Sequence, residues 1–152
     1  MTDTDELQYA GFWIRTWASI IDAFLLSIII LPVMFAIYGE YYWEYDGFFA
    51  GPMDFLISWV LPACITILFW VYRQATPGKM VISAKIVDAE TGKKPTTGQC
   101  VGRYFAYIPS MLVFGLGFFW IAFDRRKQGW HDKLAGTVVV KKRTPEEVKF
   151  QT

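Results

Sequence analysis

Apolar positions gather into three long runs, separated by polar segments of unlike character. The first, from about Ile14 to Tyr38 (residues 14–38), and the second, from about Phe55 to Tyr72 (55–72), each approach the roughly 20 residues a helix needs to cross 30 Å of hydrocarbon. Trp13 and Trp17 flank one end of the first run and Tyr38, Tyr41, Tyr42 and Trp43 the other, while the second closes on Trp70, Tyr72 and Arg73. That is how aromatic side chains sit at membrane interfaces. The pattern predicts a transmembrane helical hairpin. Pro32 and Pro62 fall inside it; each removes a backbone hydrogen bond, a loss tolerated in membranes where a helix, hydroxyl or water supplies a partner. Ser58, Pro62 and Thr66 recur every four residues and share one face, which serves either helix packing or a polar path.

Residues 73–102 read differently. QATPGK is a turn punctuated by Pro77 and Gly78. VISAKIVD alternates, with Ile82, Ala84 and Ile86 on one side, as in a half-buried strand. AETGKKP is a second turn, and Thr96 followed by Gln99 forms a capping box that opens a helix at about Thr97. The third apolar run, Tyr104 to Phe123 (104–123), is divided by Pro109 and weakened by Gly115 and Gly117. It either crosses or bends back as a re-entrant segment. Bending back is favoured, because GTVVVKK in the tail (124–152) can then pair with VISAKIVD, and neither strand is left as a lone edge. The expected fold is a single α-helical integral membrane domain over 1–152. It comprises a helical hairpin, a broken third segment and a small cytoplasmic β cap.

Composition agrees: 54% hydrophobic, 18% aromatic and only 19% charged residues is too apolar for an ordinary soluble domain of 152 residues. Charge then orients the chain. Glu40, Glu44, Asp46 and Asp54 leave the segment between the first two runs acidic, with no base, whereas residues 73–103 carry six bases against two acids and 124–152 eight against four. Lys and Arg stay on the cytoplasmic side, which puts the amino terminus and both basic segments inside. The amino end is acidic and the first apolar run long, unlike a cleaved secretory signal. Cys64 and Cys100 would lie on different sides and are read as ordinary buried thiols.

The candidate chemistry begins with Asp22. An acid at the centre of a membrane helix costs about 2.5–3.5 kcal/mol, so such residues usually face a partner or a water-filled cavity. Arg15 precedes it by seven residues, two helical turns, which places both on one face about 10 Å apart, with Ala18 and Ser19 between them. Asp22 either accepts hydrogen bonds or pairs with a base of the cap, or it binds a cation or proton. Asp124, Arg125, Arg126, Lys127, His131 and Asp132 form a second polar cluster. Arg125, Arg126 and Lys127 suit anionic lipid headgroups. His131 and Asp132 are adjacent, and adjacent side chains rarely aim at one another. Arg103, Ser58, Thr66 and Ser19 are supporting polar positions. TPGKM lacks the upstream glycine and the hydroxyl of a phosphate loop. Neither a catalytic triad nor a metal-ligand spacing is found in the sequence, so no enzyme, metal or cofactor is expected, and the basic tail is assigned to lipid rather than to nucleic acid.

Three stretches together, GFWIRTWASIID, TPGKMVISAKIVD and DRRKQGWHDKLAGTVVV, resemble the RDD family of small bacterial membrane proteins, named for one arginine and two aspartates. Arg15 matches the arginine and Asp22 the first aspartate. The second is Asp132 or Asp124, with Asp132 preferred. The resemblance implies an integral inner-membrane protein. It also implies transport of an unidentified ligand, with sodium/proton exchange associated with some members, although family does not fix function. The leading expectation is therefore a homo-oligomeric transport-type protein using Arg15, Asp22, Asp124 and Asp132. The alternative is a non-catalytic assembly protein that binds another membrane protein, in which the same residues form a buried network. Two spans and a broken one are not expected to enclose a water-filled path.

Overall fold

A computed structural model describes residues 7–142; residues 1–6 and the tail beyond Lys142 lie outside it. A short strand β1 (Leu7–Tyr9) leads into α1 (Phe12–Tyr38), 27 residues and about 40 Å long, which runs through Pro32 without interruption. A one-turn α2 (Tyr41–Glu44) follows. The chain returns through α3 (Pro52–Phe55), a π-helical turn (Leu56–Val60) and α4 (Leu61–Arg73). The π turn lies directly before Pro62, and the Leu61 N–H reaches back to the Leu56 carbonyl. A proline that cannot donate is thereby absorbed by widening one turn instead of breaking the helix. Both α1 and the returning helix are long and apolar enough to cross a membrane.

At the far end of this hairpin Asp54 is buried. It accepts hydrogen bonds from Ser58 Oγ (2.7 Å) and the Ala50 N–H (2.9 Å), and its own N–H donates to Tyr38 Oη (3.2 Å). Ser58 therefore takes part in this closure. Cys64 is exposed on the helix surface, contrary to its reading as a buried thiol, whereas Cys100 is buried.

At the near end the expected TPGK turn is a short helix, α5 (Pro77–Val81), followed by β2 (Ala84–Asp88). α6 (Thr97–Phe105) opens on the expected Thr96/Gln99 capping box. α7 (Tyr107–Leu112), α8 (Leu116–Phe123), α9 (Trp130–Ala135) and β3 (Thr137–Lys142) complete the chain. β3 pairs antiparallel with β2, joining GTVVVKK to VISAKIVD, and on its other edge with β1, a strand the sequence pattern did not reveal. Ala84, Ile86 and Val139 pack with Trp70, Ala10 and Cys100 into a small core where the sheet meets the helix ends.

The third apolar run is not one helix. The α6–α7 and α8 axes are bent by 99°. The bend is held by a close approach: a Cβ on Gly117 would lie 2.7 Å from Ser110 Cα, so only glycine lets α8 fold against α7. β1, β2 and β3 share one sheet, so the segment begins and ends at the same end of the hairpin. This geometry predicts that cysteines at positions 85 and 142, in a Cys64→Ala/Cys100→Ala background, react with an impermeant maleimide from one face of the membrane, and a cysteine at position 46 from the other. Labelling of positions 46 and 142 from a common face would contradict it.

Candidate functional site

Where the sheet meets the helices, four elements bring charged side chains into the interior. Arg15 comes from the first turn of α1, Lys79 from α5, Arg103 from the last turn of α6, and His131 and Asp132 from α9. Asp132, Arg103 and His131 have at most 1% of their surface exposed, and Arg15 and Lys79 have 6%. Asp132 is the centre. Its Oδ2 lies 2.7 Å from Arg15 Nη1 and accepts the Gly129 N–H at 2.8 Å, and its Oδ1 pairs with Arg103 Nη1. The Gly129 N–H bond also closes the start of α9, so one carboxylate both begins a helix and joins three segments.

Each arginine is used further. Arg15 Nη1 donates to the Lys127 carbonyl (3.0 Å) and Nη2 to His131 Nε2 (3.0 Å). Because a guanidinium has no acceptor, Nε2 must be the accepting nitrogen and the imidazole proton sits on Nδ1. Arg103 Nη1 donates to Thr137 Oγ1 (2.7 Å), and its guanidinium lies 5.2 Å from the Trp70 ring centroid, a cation–π contact. The His131 ring is wedged between Tyr107 of α7 (4.4 Å) and Phe118 of α8 (5.0 Å), one from each limb of the bend. Contrary to expectation, His131 and its neighbour do approach, with Nε2 3.5 Å from Asp132 Oδ2. The turn of α9 carries both inward.

Asp22 does not pair with Arg15. Its Oδ2 accepts Thr76 Oγ1 at 2.5 Å and its Oδ1 the Gly78 N–H at 2.7 Å, so it fastens α1 to the start of α5. A Cβ at Gly78 would stand 2.0 Å from the Ala18 carbonyl oxygen; glycine and the small Ala18 allow this contact. Lys79 Nζ lies 3.4 Å from Thr76 Oγ1, in the combined field of Arg15, Arg103, Asp22 and Asp132.

The other expected residues divide. Asp124 stays outside the network: it pairs with Lys133 Nζ (2.5 Å) and accepts the Arg126 and Gln128 N–H groups. Arg125 and Arg126 are exposed, and Arg126 also donates to the Ala89 carbonyl (2.6 Å). Lys127 is half-buried and donates to the Ala122 carbonyl, so its ammonium is partly committed. Ser19 Oγ returns to the Arg15 carbonyl. Thr76, Lys79 and Trp70 were not singled out. A lysine six residues beyond the end of a long apolar helix, followed by apolar residues in GKMVI, was the available signal.

Beside the network lies a cavity of about 720 Å³ between α1, α4 and the bent α7–α8 pair. Arg15, Ser19, Asp22, Thr76, Lys79 and His131 line one part of it, and Leu26, Trp59, Ile108, Met111 and Phe119 are among its apolar lining. The bend supplies one wall of this cavity, which is open along its side and is not a path enclosed by the helices.

Apolar helices of crossing length and a buried arginine–aspartate network define a helical membrane protein. The chain belongs to the RDD family, whose sequence pattern matches residues 9–136. It is similar to the uncharacterized protein YxaI of Bacillus subtilis, 34% identical over 149 residues, covering 88% of this chain and 97% of that one. It is similar also to the uncharacterized membrane protein YteJ of the same organism, 29% identical over 140 residues, covering 87% and 80%. With the uncharacterized protein RP437 of Rickettsia prowazekii it shares 47% identity over 75 residues, 49% of this chain and 41% of that one, so it spans well under half of RP437. No solved structure matches the chain.

Two predictions follow from the network's geometry. Asp132→Asn leaves two buried guanidiniums short of their counter-charge and is expected to lower stability by about 3–5 kcal/mol. Asp124→Asn, facing a lysine 45% exposed, is expected to change it by about 0–1 kcal/mol. Thermal unfolding of the purified variants in detergent checks the contrast, and equal losses would contradict it.

The second prediction concerns acid. Burial first, and then the charges of Arg103, Arg15 and Lys79, hold His131 down to about 2 from an ordinary 6.5, against the opposing pull of Asp132. Burial alone would raise the Asp132 carboxyl, yet Arg103 and Arg15 outweigh it and hold it well below the carboxylate range. An unfolded chain takes up a proton on His131 below pH 6.5 that the folded chain refuses, so this stability is lost as pH falls from 6.5 towards 2. Asp132 adds a loss only below the ordinary carboxylate range, about pH 4. His131 is the only histidine. The melting temperature is expected to drop between pH 7.5 and 5, and His131→Gln to flatten that drop; an unchanged drop in the variant would refute the assignment.

Proposed function

We propose that this chain is a small transport-type membrane protein that holds its solute in the cavity between α1, α4 and the α7–α8 bend. The observation carrying this reading is that one cavity combines the charged Asp22, Lys79 and Arg15 and the polar His131 with apolar and aromatic walls, the usual form of a small-molecule site. The reading places the protein in the inner membrane with its amino terminus and sheet in the cytoplasm. Arg125 and Arg126 meet anionic headgroups, and a second copy or another membrane protein is the partner this reading expects. Cation or proton exchange would centre on Asp22 and would have to displace the Thr76 hydroxyl or the Gly78 N–H, which occupy its two oxygens.

A second reading, a non-catalytic assembly protein, is favoured by the network itself, which joins α1 to α5, α6 and α9. Vesicles carrying the purified protein separate the two. Wild type is expected to dissipate an imposed pH gradient faster than protein-free vesicles. Ala23→Trp, which fills the cavity from an exposed position on α1, is expected to remove the difference with an unchanged melting temperature. If wild type matches protein-free vesicles while Asp22→Asn lowers the melting temperature, the assembly reading replaces transport.

A further inference from the structure

The charges beside the cavity do not balance. Arg15, Lys79 and Arg103 are three bases with at most 6% of their surface exposed, and among the described residues they face two acids, Asp22 and Asp132. His131 adds no charge while neutral. A buried charge without a partner is costly, and pairing with an opposite charge is what offsets that cost. Asp132 is claimed by both arginines and Asp22 by Thr76 and Gly78. Lys79 makes one long contact, to Thr76 Oγ1, and no acid lies within ion-pair distance of it among the described residues. Trp70 Nε1 and His131 Nδ1, on two of the lining residues, are fully buried and have no hydrogen-bond partner among the described residues, so neither offsets Lys79. This end of the cavity therefore has a surplus of positive charge.

The other end has the opposite character. From Arg15 to Leu26 α1 rises about 16 Å, and Leu26, Trp59, Ile108 and Met111 line the cavity there. Trp59, Ile108 and Met111 have at least half of their surface exposed, so this wall opens to the side of the helices. A volume of about 720 Å³ lies within the range of about 300–1,000 Å³ usual for small-ligand sites, which leaves room for a single-chain amphiphile.

We infer that the cavity takes a single-chain amphiphile with an anionic head, the head against Lys79 and the chain along the wall of Leu26, Trp59 and Met111. The inference rests on the reading of this cavity as a solute site. It reverses the sign of the ligand expected from Asp22 alone, because the carboxylate there is satisfied and the ammonium beside it is not.

The test uses the full chain in neutral maltoside micelles, with a tritiated twelve-carbon fatty acid as probe, read by scintillation proximity. Unlabelled competitors are the same acid, the alcohol and the quaternary ammonium of equal chain length, and inorganic phosphate. Saturable binding is expected, competed by the acid at least tenfold better than by the alcohol, and not by the ammonium or phosphate. Lys79→Gln is expected to weaken it at least tenfold and Ala23→Trp to abolish it, each with its melting temperature measured alongside.

Equal competition by acid and alcohol would overturn the anionic head. Preference for the ammonium would overturn the sign of the charge, and competition by phosphate as strong as by the acid would overturn the amphiphile. In each of these cases binding that Ala23→Trp removes leaves the cavity as a solute site. No saturable binding of acid, alcohol or ammonium would overturn both. Saturable acid binding with no flux in vesicles would keep this inference and remove transport. Should Lys79→Gln fail to fold, the competition series on wild type decides alone.

Discussion

A carboxylate with no exposed surface, Asp132, receives two guanidiniums and a backbone N–H, and the rest of the arrangement depends on it. Removing such a group from water costs several kcal/mol, and opposite charges and donors held in place offset that loss. The two guanidiniums come from α1 and α6 and the N–H from the loop before α9. The membrane hairpin, the entry to the bent segment and the exit from it therefore cannot move apart without stranding charge. Arginine suits both positions because one planar group serves several partners at once. Arg15 reaches Asp132, His131 and the Lys127 carbonyl; Arg103 reaches Asp132, Thr137 and the face of Trp70.

The bend of the third segment follows from the same centre. Its two limbs close on His131 through Tyr107 and Phe118, and His131 is held by Arg15. Folding back at 99° also spaces α7 and α8 away from α4 along part of its length, and the space so formed is the cavity. The network is thus a structural lock, and the chemistry open to a ligand lies beside it. The two aspartates differ accordingly. Asp132 neutralises charge within the lock, whereas Asp22 accepts neutral donors and positions α5, which carries Lys79 to the cavity.

Much of this was legible along the chain because it depends on local rules. Apolar run length marked α1 and the returning helix, strict alternation marked β2, and the Thr96/Gln99 spacing marked the start of α6. Arg15, Asp22, Asp132, His131 and Arg103 stood out because charged residues in or beside apolar runs demand an explanation. The partner of Ser58 was not legible in the same way: helical spacing says which residues share a face, but the structure shows that Asp54 accepts its hydroxyl. β1 was invisible, since three residues carry no periodicity and gain their pairing only from β3.

By itself, then, the sequence determined which segments are apolar enough for a membrane, which short stretches are strands, and which charges need partners. The tertiary structure alone decided which partners they take. Arg15 and Asp132 are separated by well over a hundred positions, and nothing local couples them; the 99° bend, set by the contact of Gly117 with Ser110, returns the chain so that they meet. The placement of Lys79 likewise follows from Gly78 lying against Ala18. Composition counts charges, but only packing decides which of them remain uncompensated, because the cost of a buried charge depends on what lies within a few ångströms of it.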